Sequence, residues 1–222
     1  MDFSFPGIAQ DIVRLRELLR VAMKLVDRAP RFCPTILNLA CGRADETGAL
    51  IDAWSLAGSG GEYLGLDIRH AEILEASRRW AESWSPHGSV EFRVADVSLP
   101  YQLPSEKRYD FIFLRHQNFW DAPSTWDQIY RHALARLQPD GLLVFTSYFD
   151  REHELALAAV KTLGGSLWLD MPHAHSRALA DAPGKSVDKR LAIFALSGGN
   201  RSFHSLLTPC LLYTSPSPRD RQ

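Results

Sequence analysis

Residues 35–47, Thr-Ile-Leu-Asn-Leu-Ala-Cys-Gly-Arg-Ala-Asp-Glu-Thr, put the tightest constraint on how this chain folds. Ile36, Leu37 and Leu39 form a short apolar run that reads as a buried strand, and the run breaks at the small residues Ala40, Gly42 and Ala44. Helical character resumes from Asp45 to Ala57. Strand, small-residue turn and helix are the layout of a nucleotide-binding first crossover, where a helix N-terminus and close backbone approach set main-chain N–H groups against a ligand. An ordinary tight βα turn, which needs glycine only for its backbone freedom, has the same layout. The downstream residues tip the balance toward the first reading.

Gly58-Ser-Gly-Gly61 is a turn, and Tyr63-Leu-Gly-Leu-Asp67 reads as a second buried strand ending in a carboxylate. Asp67 stands 25 residues after Gly42, near the spacing at which a strand-end acid grips ribose hydroxyls. The alternative is a solvated strand-end Asp. Residues 71–84 show a helical apolar face, and Val90–Ala95 alternates as a third strand running into Asp96-Val97. Asp96 is suited to accept from the exocyclic amine of an adenine while Val97 packs on the ring. Tyr109–Leu114 predicts a fourth strand, Ser124–Leu137 a helix, Gln138–Gly141 a turn and Leu142–Tyr148 a fifth strand. Glu152–Leu163 is helical, and Ser166–Asp170 and Arg190–Leu196 close the chain as strands without a convincing helix between them. The expectation is a Rossmann-like α/β fold, a seven-stranded mostly parallel sheet closed by an antiparallel strand in a final edge pair, with helices on both faces.

Ahead of this domain, which spans residues 31–198, apolar residues recur at three and four from Ile8 to Asp27, with Arg14, Arg16, Glu17, Arg20 and Lys24 between them. Residues 1–30 therefore carry an amphipathic helix that packs on the sheet or lids a ligand site, packing being the safer reading. Residues 199–222 form a tail. From Cys210 to Asp220 it resembles the translation of a transposon-end adapter used in sequencing libraries, so the chain is read as non-native from about residue 210.

Composition excludes more than it assigns. Lys plus Arg is 25 against Asp plus Glu 26 in 222 residues, so no basic excess points to nucleic acid. No apolar run reaches the roughly 20 residues that span a bilayer, and the N-terminus has no signal-peptide pattern. Cys33, Cys41 and Cys210 show neither a disulfide framework nor metal-ligand spacing. The expected setting is the cytoplasm, without a membrane partner.

The order and spacing of these motifs resemble the class I S-adenosylmethionine-dependent methyltransferases over roughly Thr35 to Leu196. The family's first motif is an acidic residue followed by three glycines at alternate positions, here Asn38, Ala40, Gly42 and Ala44. Gly42 alone is a strict match, and Asn38 stands where the family's acid lies near the amino-acid end of the cofactor. Leu66-Asp67 matches the ribose motif and Ala95-Asp96-Val97 the adenine motif. Tyr109-Asp110-Phe111 matches the opening of the fourth, and the Leu137–Gly141 turn chemistry recurs. The resemblance implies S-adenosylmethionine as cofactor, held by Asn38, Ala40, Gly42, Asp67, Ile68, Asp96, Val97 and Arg115.

A sulfonium makes its methyl electrophilic, so such a protein chiefly aligns a nucleophile and excludes water. Ligands of open α/β sheets lie beyond the carboxyl ends of the strands, which puts Arg115, His116 and Asn118 beside the methyl. His116 is the candidate general base, or else orients a loop. Arg115 serves a substrate carboxylate or phosphate, or a structural ion pair. Trp120 and Trp126 wall a pocket or belong to the core. Asn118 does not open the Asn/Asp-Pro-Pro-Tyr/Phe signature of family members acting on nucleobase amino groups. Glu152-His-Glu154 and His173-Ala-His175 lack an established zinc spacing and read as surface histidines, so no metal is expected. The function expected is methyl transfer to an acceptor, most simply a small molecule. The alternatives are a methyltransferase-like module that binds without catalysis and an NAD(P)-dependent reductase, the latter disfavoured because Gly42 stands alone.

Overall fold

The computed structural model describes residues 7–81, 88–104 and 106–198. The adapter-like segment and the expected end of the helix near Trp84 lie outside these residues. The strands are β1 (Thr35–Leu39), β2 (Gly61–Asp67), β3 (Gly88–Val94), β4 (Tyr109–Arg115), β5 (Leu137–Ser147), β6 (Gly165–Pro172) and β7 (Arg190–Leu196). They form one seven-stranded sheet in the order β3-β2-β1-β4-β5-β7-β6. The pairs among β1 to β5 are parallel, and β7 runs antiparallel to both β5 and β6. The last two strands form the expected antiparallel edge pair, with β7 lying between β5 and β6.

Strand periodicity sorts the apolar side chains to two faces. Ile36, Phe111, Phe113, Val144 and Ile193 meet the helices α1 (Ile8–Leu25) and α2 (Thr47–Trp54) on one side. Leu37, Leu39, Ile112, Leu114, Leu143 and Phe145 meet α4 (Pro123–Ala135) and α5 (Asp150–Thr162) on the other. Helices thus cover both faces, as all-parallel strands with continuous apolar runs require. Trp54 on α2 anchors the first layer, its ring stacked on Phe111 at 4.8 Å and 7° and edge-on to Phe113 at 5.9 Å. The helix α3 (His70–Trp80) buries Ile73 and Ala76 against Cys41 and Ala44 of the first turn.

Two boundaries differ from expectation. The helix expected over 45–57 is Thr47–Trp54, because Ser55 turns to an extended conformation and bridges Arg31. The turn expected over 138–141 is absorbed into β5, which begins at Leu137 and pairs irregularly with β4 between Tyr109 and Phe111. Gly141 permits this, since a Cβ there would lie 2.7 Å from the Tyr109 carbonyl oxygen. At the amino end of the sheet Asp110 is structural. Its Oδ2 accepts from the Thr35 N–H and hydroxyl, each at 2.8 Å, and Arg31 pairs with Asp110 and, at 2.6 Å, with Asp140.

Candidate functional site

The first turn keeps the backbone of a glycine motif although two of its glycines are alanine. Ala40, Gly42 and Ala44 sit at φ of 53°, 54° and 54°, the left-handed region that costs an L residue roughly 1–2 kcal/mol. Three such residues at alternate positions curl the chain between β1 and α2. At Gly42 a Cβ would meet Arg69 Nη2 at 2.8 Å, so a side chain there would have to displace the Arg69 guanidinium.

Asp67, at the end of β2, closes the turn from beneath. Its Oδ2 accepts the Gly42 N–H at 2.7 Å, and its Oδ1 accepts the Arg69 N–H at 2.9 Å and Nε at 3.0 Å. Burial raises the Asp67 carboxyl, but its hydrogen bonds and the Arg69 charge outweigh it and hold the group below its ordinary range. The guanidinium of Arg69 therefore lies over Gly42 and Asp67, although its own side chain is 58% exposed. Next to Asp67, Ile68 is 64% exposed, an apolar side chain left bare at a strand end. At the end of β3, Asp96 Oδ1 accepts from the Ser98 N–H at 3.0 Å and hydroxyl at 2.6 Å; Oδ2 makes no hydrogen bond among the described residues. Val97 departs from the expected ring contact. Its side chain is buried with Leu103 and Ile129 in the α4/α5 core, whereas Ile68 and, at the end of β3, Val94 leave apolar side chains exposed at this edge.

A buried polar cluster links the ends of β1, β4 and β5. Asn38 is fully buried, and its Nδ2 donates to Glu46 Oε1 at 2.5 Å and to the Tyr63 hydroxyl at 2.8 Å. Its Oδ1 has no hydrogen-bond partner among the described residues. Glu46, immediately before α2, is itself buried, and Arg115 Nη1 lies 3.6 Å from its Oε2. Arg115 forks onto Asp188, Nε to Oδ1 at 3.0 Å and Nη2 to Oδ2 at 2.7 Å. Its guanidinium is committed to carboxylates of the protein rather than open to an anion. Thr146 donates to Asp188 Oδ1 at 2.7 Å. With these partners Asp188 is held well below the usual carboxylate range against the opposing effect of burial.

His116 completes the cluster in a left-handed conformation, φ 57°, with its ring stacked on Tyr148 at 3.7 Å. Its Nε2 lies 2.8 Å from Asp188 Oδ1 and 3.0 Å from the Asp188 N–H. A proton on Nε2 donates to the carboxylate; a bare Nε2 accepts from the amide. Burial lowers the imidazole pKa, opposed by Asp188, and favours the neutral ring. Asn118 is exposed and donates to Asp121. Trp120, 42% exposed, leans on Phe149 at 5.0 Å, while Trp126 packs against the core.

The structure thus brings Asn38, Arg115 and His116 into one cluster and sets Asp67, Ile68 and Asp96 along the neighbouring strand ends. Glu46 and Asp188 were not anticipated. Glu46 was visible as an acid at the start of the helix, but Asp188 is 73 residues from Arg115 and has no local signal. His153 is not a surface histidine: its ring is buried, Nδ1 2.9 Å from Ser147 Oγ and Nε2 3.1 Å from Asp170 Oδ1. Among the described residues no group of His, Cys, Asp and Glu is arranged to hold a metal ion, and no helix is long and apolar enough to cross a membrane.

Residues 36–141, from β1 into β5, match the family model described as a methyltransferase domain. No curated protein matches the chain. A S-adenosylmethionine-dependent methyltransferase from Clostridium acetobutylicum superposes with a TM-score of 0.62 at 10% identity, over 84% of this chain and 92% of that one. The PH0226 protein of Pyrococcus horikoshii gives 0.62 at 18% identity, over 89% and 94%. Magnesium protoporphyrin IX methyltransferase from Synechocystis, solved with bound S-adenosylmethionine, gives 0.58 at 16% identity, over 89% and 87%. Residues 36–141 therefore match a methyltransferase domain, and the chain as a whole shares its Rossmann-like fold with these solved structures.

Proposed function

We propose that this chain is a S-adenosylmethionine-dependent methyltransferase acting on a small-molecule acceptor, with residues 31–198 as the catalytic unit and α1 (Ile8–Leu25) packed against it. The observation that carries the reading is the turn at residues 40–44, which keeps three left-handed residues at alternate positions even where alanine must be strained to do so. Such strain persists where the conformation itself is needed.

The residues at the strand ends fit that cofactor. Asn38 Oδ1 is a buried acceptor awaiting a donor, Gly42 allows close backbone approach, Ile68 offers an apolar surface to a purine, and Asp96 Oδ2 is open to an amine. Asp67 would hold the ribose hydroxyls once the flexible, half-exposed Arg69 side chain swings off it. When bound, the cofactor supplies a methyl made electrophilic by its sulfonium. The protein's own task is alignment and exclusion of water. Trp120, Phe149 and Tyr148 wall the side of the site facing the acceptor. His116, neutral and steadied by Asp188, takes a proton from an acceptor that must lose one.

The bound cofactor of the Synechocystis enzyme and the sinefungin complex of the glycopeptide N-methyltransferase MtfA support the choice of ligand. Calorimetric titration with S-adenosylmethionine, S-adenosylhomocysteine and NADH tests it: heat is expected with the two sulfur ligands and none with NADH. A folded protein giving no heat with either sulfur ligand would sink the reading. Incubation with methyl-labelled cofactor and a metabolite extract then separates an enzyme, which yields labelled product, from a module that binds without turnover.

A further inference from the structure

At the end of β1 one buried acceptor, Asn38 Oδ1, has no donor among the described residues, and the buried carboxylate beside it, Glu46, is short of positive charge. The Asn38 amide is fixed in orientation by its donation to Glu46 and Tyr63, since the reversed amide would press Oδ1 against a carboxylate. Oδ1 is thereby left buried and unpartnered. Glu46 beside it is 4% exposed, and its one ion-pair partner among the described residues is Arg115 at 3.6 Å. Arg115 is already forked onto Asp188 at 3.0 and 2.7 Å. The cluster therefore buries two carboxylates against one guanidinium. Among the described residues Arg115 is the cation that acts most on Glu46; Tyr63 on β2 and Cys41 in the turn are kept neutral, Asp45 is acidic, and His116 beyond Asp188 is neutral. A buried carboxylate in deficit either takes a proton or recruits a cation.

We propose that Glu46, together with Asn38 Oδ1, anchors a ligand ammonium, namely the amino-acid end of S-adenosylmethionine, so that the acid missing from β1 at position 38 is supplied from the start of α2. The assignment rests on the methyltransferase reading. An amide at position 38 accepts a hydrogen bond but cannot neutralise an ammonium; the carboxylate 2.5 Å from it can. Burial lifts the Glu46 carboxyl above its ordinary range, opposed chiefly by Arg115. In the free protein the group takes up a proton as pH falls toward that raised value. A bound ammonium lowers it again, so binding expels a proton.

The test uses the intact chain and two ligands, S-adenosylhomocysteine and 5′-methylthioadenosine, which keeps the adenosine and sulfur but lacks the amino-acid end. Glu46→Gln is expected to weaken S-adenosylhomocysteine by at least about tenfold, about 1.4 kcal/mol, while the affinity for 5′-methylthioadenosine moves by less than about twofold. Adding Asn38→Asp to Glu46→Gln, which returns the acid to β1, is expected to restore most of the lost affinity. In the wild type, titrations between pH 5 and 8 in buffers of different ionisation enthalpy should show proton release with S-adenosylhomocysteine and none with 5′-methylthioadenosine. This measurement needs no variant to fold. Equal losses for both ligands, an unchanged S-adenosylhomocysteine affinity in Glu46→Gln, or no proton release by the wild type overturns the assignment. Failure of the wild type to bind either ligand overturns the methyltransferase reading instead.

Discussion

Ala40 and Ala44 hold the same strained conformation in different surroundings, so glycine should affect them differently. Relief of a left-handed alanine is worth roughly 1–2 kcal/mol, and the extra freedom of glycine in the unfolded chain returns about 0.4–1 kcal/mol. Ala40 is partly exposed, and Ala40→Gly is expected to stabilise by about 0.5–1 kcal/mol in urea unfolding. Ala44 is buried at 1% exposure; losing its methyl costs about 0.8 kcal/mol more, so Ala44→Gly should come out near zero. Equal effects at both positions would refute this account. Cofactor affinity gives a second residue-scale prediction. Asp67→Ala should weaken it by at least about tenfold, about 1.4 kcal/mol, and an undiminished affinity would remove Asp67 from the site. Glu152 gives a third. Burial pushes its carboxyl up to about 7 from 4.5 in the unfolded chain. The unfolded state ionises first, so Glu152 lowers stability as pH rises from about 4.5 to about 7. Glu152→Gln should therefore gain on wild type between melts at pH 5 and pH 8, and a gap independent of pH would contradict it. At this scale the chain was legible wherever a residue type implies a geometry, as at Gly42 and Asp67. It was not legible at Val97, whose side chain turns to the core.

Elements were more readable than residues, because a helix or strand averages its signal over many positions. The three-and-four spacing of α1 located that helix to within a turn, and its apolar face is buried. Leu15, Leu18 and Leu19 share one cluster with Trp54, Phe111 and Ile193, so α1 is part of the core of the sheet. Leu19→Ala is expected to cost about 2–5 kcal/mol, measured by chemical unfolding. A loss below about 1 kcal/mol would indicate a loosely docked helix. Strand β5 shows where element reading stops. Gln138-Pro139-Asp140-Gly141 has turn chemistry, yet β4 pairs across it because Gly141 lets the two backbones approach. Local composition cannot reveal a pairing partner that far away.

Across the whole molecule the least legible feature is the bond between β4 and the segment that leads into β7. Arg115 meets Asp188 only because the sheet order brings the ends of β4, β5 and β7 together. Arg115→Met would leave Asp188 and Glu46 buried without their cation, a loss of about 3–5 kcal/mol. Early protease cleavage between residues 173 and 189 should accompany it, and an unaltered digestion pattern would argue that other contacts hold this segment. The placement of β7 has a consequence for synthesis. Because Arg190–Leu196 fills the gap between β5 and β6, the strand that joins the edge strand to the rest of the sheet is the last of the seven described strands to leave the ribosome. Until it emerges, β5 carries an unpaired apolar margin and β6 has no neighbour to join. A chain stalled before residue 190 thus exposes the kind of strand edge on which nascent chains aggregate or chaperones bind.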